Sequence, residues 1–90
     1  MSAIKISVHG MVQGVGYRAL VRGIALRMGI KGYAKNMPDG SVEVFAMGEG
    51  ESLKEFLKAI NVDTEHGPQV HKIEIESSED IDAYDSFYVR

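Results

Sequence analysis

The sequence predicts an α+β sandwich, with two helices on one face of an antiparallel four-stranded sheet and a short fifth strand at the end of the chain. Three observations support this. Period-two alternation of apolar and polar residues marks strands, recurrence at three and four positions marks two helices, and glycine-rich or Pro-Asp-Gly punctuation separates them. The resulting order is strand, helix, strand, strand, helix, strand, the split βαβ or ferredoxin-like arrangement. A length of 90 residues suits one domain, 1–90, with one core.

Taken in order, Ile4, Ile6 and Val8 alternate with Lys5, Ser7 and His9, which reads as a half-buried strand. A turn with Gly10, Gly14 and Gly16 follows. Tyr17, Leu20, Val21, Ile24, Ala25 and Met28 then recur at helical spacing, and Gly29 stands where a helix C-terminal glycine belongs. A strand over about 30–36 leads to Met37-Pro38-Asp39-Gly40, where Pro presets φ, Asp bonds locally and Gly accepts positive φ. Val42, Val44 and Ala46 alternate with Glu43, Phe45 and Met47 and complete a hairpin. Ser52-Leu-Lys-Glu55 has the form of a capping box opening a helix with the stripe Leu53, Phe56, Leu57 and Ile60. After a polar loop over 61–69, Ile73 and Ile75 mark the fourth strand, and Ser86-Phe-Tyr-Val-Arg90 the short last one. The acidic stretch from Glu74 to Asp85 reads as a solvated face and loop.

Composition narrows the class. There is no cysteine, which removes disulfides and thiolate metal sites and fits a reducing cytoplasm. No apolar run approaches the ~20 residues of a membrane span, and the first residues lack the apolar core of a signal peptide. The net charge of −3 is unevenly placed: Lys5, Arg18, Arg22, Arg27, Lys31 and Lys35 precede every one of the 13 acidic residues. A basic N-terminal half in an acidic chain suggests a local anion site, or surface charge that folding mixes again.

The loop from Gly10 through Met11, Val12, Gln13, Gly14, Val15 and Gly16 joins a strand end to a helix start, with Arg18 in the first helical turn. Helix N-termini present unpaired N–H groups and partial positive charge. Glycines let several N–H groups converge on one anion, and a guanidinium grips two phosphate oxygens at once. The same spacing also suits a plain tight turn beside a solvated arginine. Gly16-Tyr-Arg18 lacks the Lys-Ser/Thr of a Walker loop, and Gly14-Val-Gly16-Tyr-Arg-Ala19 matches a dinucleotide fingerprint in a chain too short for that fold.

Lys31-Gly-Tyr-Ala34 resembles the start of an RNA-recognition signature, but Lys35 and Asn36 break it and the acidic second half opposes a polyanion. Asn36, before the turn, is either turn chemistry or a neutral amide able to hold a water beside an anion without repelling it. His66 and His71 have no third ligand beside them and read as solvated. There is no Ser-His-Asp set, reactive thiol or evident carboxylate pair.

Val-Gln-Gly-Val-Gly-Tyr-Arg at 12–18 resembles the first signature of the acylphosphatase family, and Gly32-Tyr-Ala-Lys-Asn-Met-Pro-Asp-Gly-Ser-Val-Glu-Val44 resembles the second. The segment 25–32 between them, Gly48, Gly67-Pro68 and the Ser-Phe-Tyr-Val-Arg ending are also similar, so the resemblance spans the chain. It implies the fold derived above and hydrolysis of the carboxyl–phosphate anhydride of acyl phosphates without metal or other cofactor. It places the phosphate loop on 10–16, the phosphate-binding arginine on Arg18 and the water-positioning asparagine on Asn36. The implied partners are a small-molecule acyl phosphate and inorganic phosphate, with no nucleic acid and no membrane, for a cytoplasmic monomer. A non-catalytic anion-binding or interaction module of the same fold is the alternative. Departures from the family pattern are Met11 at an often basic position, Tyr17 where Phe is commoner, Gly23 within the first helix and a longer loop at 61–66.

Overall fold

The computed structural model describes residues 1–78 and 84–90. Its elements are β1 (Ser2–Met11), α1 (Tyr17–Met28), β2 (Lys31–Asn36), β3 (Val42–Gly48), α2 (Gly50–Ile60), β4 (Gln69–Ser78) and β5 (Phe87–Val89). The strand order is β4-β1-β3-β2-β5. β1 pairs antiparallel with β3 and β4, and β2 antiparallel with β3. The short fifth strand is the exception. β5 runs parallel to β2, with Gly32 opposite Phe87 and Ala34 opposite Val89, so the complete sheet is mixed.

Alternation along the strands sorts side chains as the sequence predicts. Ile6, Val8, Ala34, Val42, Val44 and Ala46 turn to one face and meet Tyr17, Val21 and Ala25 of α1 and Leu53, Phe56 and Ile60 of α2 in one core. The opposite face is partly covered. Phe45 and Met47 are buried there with Ala3, against Tyr33 and Tyr84. Tyr33 stacks on Phe45, and the Arg90 guanidinium lies 4.7 Å from the Tyr33 ring centre. The acidic stretch starting at Glu74 lies partly outside the described residues, at 79–83.

Two boundaries differ from expectation. β1 continues through Gly10 and Met11, which pair with Val70 and Gln69 after an irregularity at His9/Gly10. Gly10 has φ +139°, and a Cβ there would stand 2.2 Å from the Gln69 carbonyl oxygen, so only glycine fits this bulge. In the second helix, Ser52 does not cap. Glu49 takes the N-cap position without a side-chain cap bond, and Leu53 N–H donates to Glu49 O at 2.9 Å. The chain leaves β3 at Gly48 and turns through a single residue into α2, which starts the helix two residues before Ser52. At the end of α1, Gly29 does act as expected, with φ +69° and its N–H bonded to Ala25 O.

The 61–69 loop is held by its own backbone and side chains. Thr64 donates to Pro68 O from both N–H and Oγ1, and Val70 N–H donates to Val62 O. Among the described residues, no helix is long and apolar enough to cross a membrane.

Candidate active site

The topology brings the loop and Asn36 to one end of the sheet. β3 lies between β1 and β2 and runs antiparallel to both, so β1 and β2 end at the same edge. Val42 is opposite Val8 on one side and Asn36 on the other. Asn36 is therefore two strand spacings from β1, about 10 Å. β5 ends here too, and Arg90 N–H donates to Ala34 O at 2.8 Å.

The chain turns from β1 into α1 over Val12 to Gly16. Val12 is buried and anchors the turn in the core. Gly14 and Gly16 have φ of +75° and +78°, while a Cβ at either would meet nothing within 4 Å, so conformation rather than space requires glycine. The first intrahelical bond runs from Leu20 N–H to Gly16 O at 3.1 Å. The N–H groups of Tyr17, Arg18 and Ala19 thus precede the helical ladder. Gly16 supplies no side-chain cap, and no acidic residue lies in the first turn. The positive end of α1 is left uncompensated, as an anion site requires. Val12, Gly14, Gly16, Tyr17, Arg18, Ala19 and Val89 line a hollow of about 170 Å³ at this point.

Arg18 is steered by the end of the chain. Its Nη1 donates to the Arg90 carbonyl oxygen at 2.8 Å, and one turn later Arg22 Nε donates to Phe87 O at 3.1 Å. Beneath Arg18, the Tyr17 hydroxyl donates to Ile60 O at 2.8 Å, joining the two helices; burial pushes its pKa well up. This contact gives the uncommon Tyr17 a structural use.

Asn36 ends β2, and its Oδ1 is buried with no hydrogen-bond partner among the described residues. The turn that follows is well braced. Met37 N–H donates to Ser41 O, Gly40 N–H to Met37 O, and Asp39 Oδ1 accepts from both the N–H and the hydroxyl of Ser41. These two bonds hold the Asp39 carboxyl below its ordinary pKa. Gln13 reaches across from the loop, donating from Nε2 to Met37 O at 2.8 Å and Ser41 O at 2.9 Å.

The sequence-predicted residues therefore divide. Gly10 and Met11 belong to the strand ladder, Val12 to the core, and 13–16 with Arg18 to the loop and helix start. Sequence reasoning missed the Gln13 side-chain link, the Arg90 carbonyl and Val89. All three lie inside segments that match the family, but nothing in the sequence signalled these contacts. His9 pairs with Glu74 at 2.8 Å on the sheet face, and among the described residues no group of His, Asp and Glu is placed to hold a metal ion.

A glycine turn from strand to helix and the end of β2 at Asn36 thus lie at one edge of a ferredoxin-like sheet. Comparison with known proteins gives the family. The acylphosphatase family model matches residues 4–89. The acylphosphatase of Archaeoglobus fulgidus is 45% identical, with 99% of this chain and 98% of that protein covered. The crystal structure of acylphosphatase from Bacillus subtilis superposes with a TM-score of 0.89 at 32% identity, covering 100% of this chain and 99% of that one. Full-length HypF in its phosphate- and nucleotide-bound form aligns with a TM-score of 0.87 at 26% identity, but over only 12% of its length. The chain belongs to the acylphosphatase family, a class of hydrolases acting on acid anhydrides.

Proposed function

We propose that this chain, as one domain over 1–90, hydrolyses acyl phosphates by in-line attack of a water held by Asn36. The phosphoryl group sits against the 10–16 loop and Arg18. The observation that carries this reading is the place of Asn36 at the end of β2, on the same edge of the sheet as the loop and Arg18, with an Oδ1 acceptor that no donor among the described residues satisfies. Such a group is costly unless something polar meets it, and a water beside an anion site does so.

The water oxygen forms a bond to phosphorus as the bond from phosphorus to the acyl oxygen breaks, and the electron pair of that bond leaves with the carboxylate. A phosphate oxygen takes the water's proton, and the products are a carboxylate and inorganic phosphate. The leaving group is the conjugate base of an acid of pKa ~4 and needs no general acid. A loose phosphoryl transition state needs position and charge stabilisation, which the loop N–H groups and the Arg18 guanidinium supply at the equatorial oxygens. Asn36 adds no charge against the phosphate. No step in this scheme requires a metal or cofactor.

The partners are a small acyl phosphate and inorganic phosphate. A cytoplasmic monomer is the state in which we expect it to act. A second reading, a non-catalytic phosphate-binding module, is favoured by the likeness to a small part of the much longer HypF.

Hydrolysis of benzoyl phosphate by the purified chain in excess chelator, with competitive inhibition by inorganic phosphate, decides between them. Arg18→Ala is expected to lower kcat/KM by at least about 10³-fold and to weaken phosphate inhibition. Phosphate binding with no turnover favours the module, and full activity in Arg18→Ala refutes the assigned role.

A further inference from the structure

We propose that the Gln13 side chain is a positioning residue for the hydrolysis, locking the loop that receives the phosphoryl group to the turn that holds the attacking water. The inference rests on the reading of Asn36 given above.

Gln13 lies within the loop, and its carboxamide runs to the hairpin. Nε2 donates to Met37 O at 2.8 Å and to Ser41 O at 2.9 Å. Met37 follows Asn36 directly, and Ser41 precedes Val42, the cross-strand partner of Asn36. One nitrogen thus grips both arms of the turn immediately beyond the Asn36–Val42 pair. A primary amide suits the task because one nitrogen carries two hydrogens. A carboxylate would oppose two carbonyl oxygens, and a shorter side chain would not reach them.

No sheet bond can replace this link. β3 separates β1 from β2, so the loop and Asn36 are not backbone neighbours. The turn's own bonds, from Met37, Asp39, Gly40 and Ser41, fix its internal shape and not its distance from the loop. In-line attack is sensitive to that distance, since a misplacement of about 1 Å can cost ~10²-fold in rate. Phosphate binding, which uses the loop and Arg18 alone, is much less sensitive to it.

The test is a double-mutant cycle of Gln13→Met, which keeps length and bulk but has no donor, with Asn36→Ala. The readouts are kcat on benzoyl phosphate and the inhibition constant of phosphate. Gln13→Met alone is expected to lower kcat about 10- to 100-fold and to change phosphate inhibition by less than about threefold. In the Asn36→Ala background the same change should lower kcat by less than about twofold, because the water it positions is already lost. Gln13→Lys, whose ammonium can donate to both carbonyls, should recover most of the loss and guards against a folding defect in Gln13→Met. Equal losses in both backgrounds, a parallel loss of phosphate affinity, or no recovery with Lys overturn the tether. Full turnover in Asn36→Ala alone refutes the underlying reading of the site, and the inference with it.

Discussion

Replacing Asn36 by Ala separates activity from stability, and the structure sets the sign of each. The Oδ1 atom is buried and receives no hydrogen bond from the described residues. An acceptor in that state costs about 1–3 kcal/mol when left dry and less when a water meets it. Its removal should leave folding stability unchanged or raise it by up to about 1 kcal/mol, a shift in Tm of 0 to about +6 °C for a domain of this size. Turnover moves the other way. A water no longer held in line loses about 10²-fold in kcat, or ~2.7 kcal/mol of transition-state stabilisation. Inhibition by phosphate should persist, since the loop and Arg18 are untouched. Steady-state hydrolysis of benzoyl phosphate, phosphate titration and a thermal melt on the same preparation measure all three. A Tm lowered by several degrees in step with activity would refute the reasoning, because Asn36 would then be a structural residue of the hairpin. So would full turnover.

Three further outcomes follow from the packing. Tyr17→Phe removes the hydroxyl that donates to Ile60 O between the helices; because Val62 N–H still satisfies that carbonyl, the cost should be about 1 kcal/mol by chemical denaturation, and a neutral result would deny the contact any net worth. Gly23 lies inside α1 without positive φ, and a Cβ there meets nothing within 4 Å. Gly23→Ala should therefore raise stability by up to about 1 kcal/mol with unchanged kcat; a lowered Tm would contradict it. Burial, with the hydrogen bond and charge of Glu43, pushes the Tyr33 phenol up to about 12 from its ordinary 10.0. Below pH 10 it is protonated in both folded and unfolded chains, and between 10 and 12 the unfolded chain ionises first, so stability falls as pH rises through that window. The fall in Tm across the window should be shallower in Tyr33→Phe, and identical slopes would show that the group is not shifted.

The order of elements was legible because each carries its own local signal. Ile6 and Val8 alternate, Val21 and Ala25 recur at helical spacing, Gly29 stops α1 and Pro38-Asp39-Gly40 turns the hairpin. The misplaced start of α2 shows where such signals mislead. Ser52 and Glu55 have the spacing of a capping box, but the one-residue connection from β3 starts the helix at Gly50. The parallel pairing of β5 was likewise not readable, because three residues, Phe87–Val89, do not specify a partner or a direction.

The candidate site divides the same way. Residue types and spacing singled out the glycine loop with Arg18, and Asn36 before its turn, but left each open between an anion site and plain turn chemistry; the resemblance to the family implied their roles. Tertiary structure alone decided that the two lie at one end of the sheet. β3 inserts between β1 and β2 and brings their ends to one edge, Arg90 O steers Arg18, and the Gln13 amide spans from loop to hairpin. The last two are hydrogen bonds across 72 residues, and across 24 and 28 residues. Contacts at such separation depend on how strands are ordered in the sheet, which no local pattern of side chains encodes.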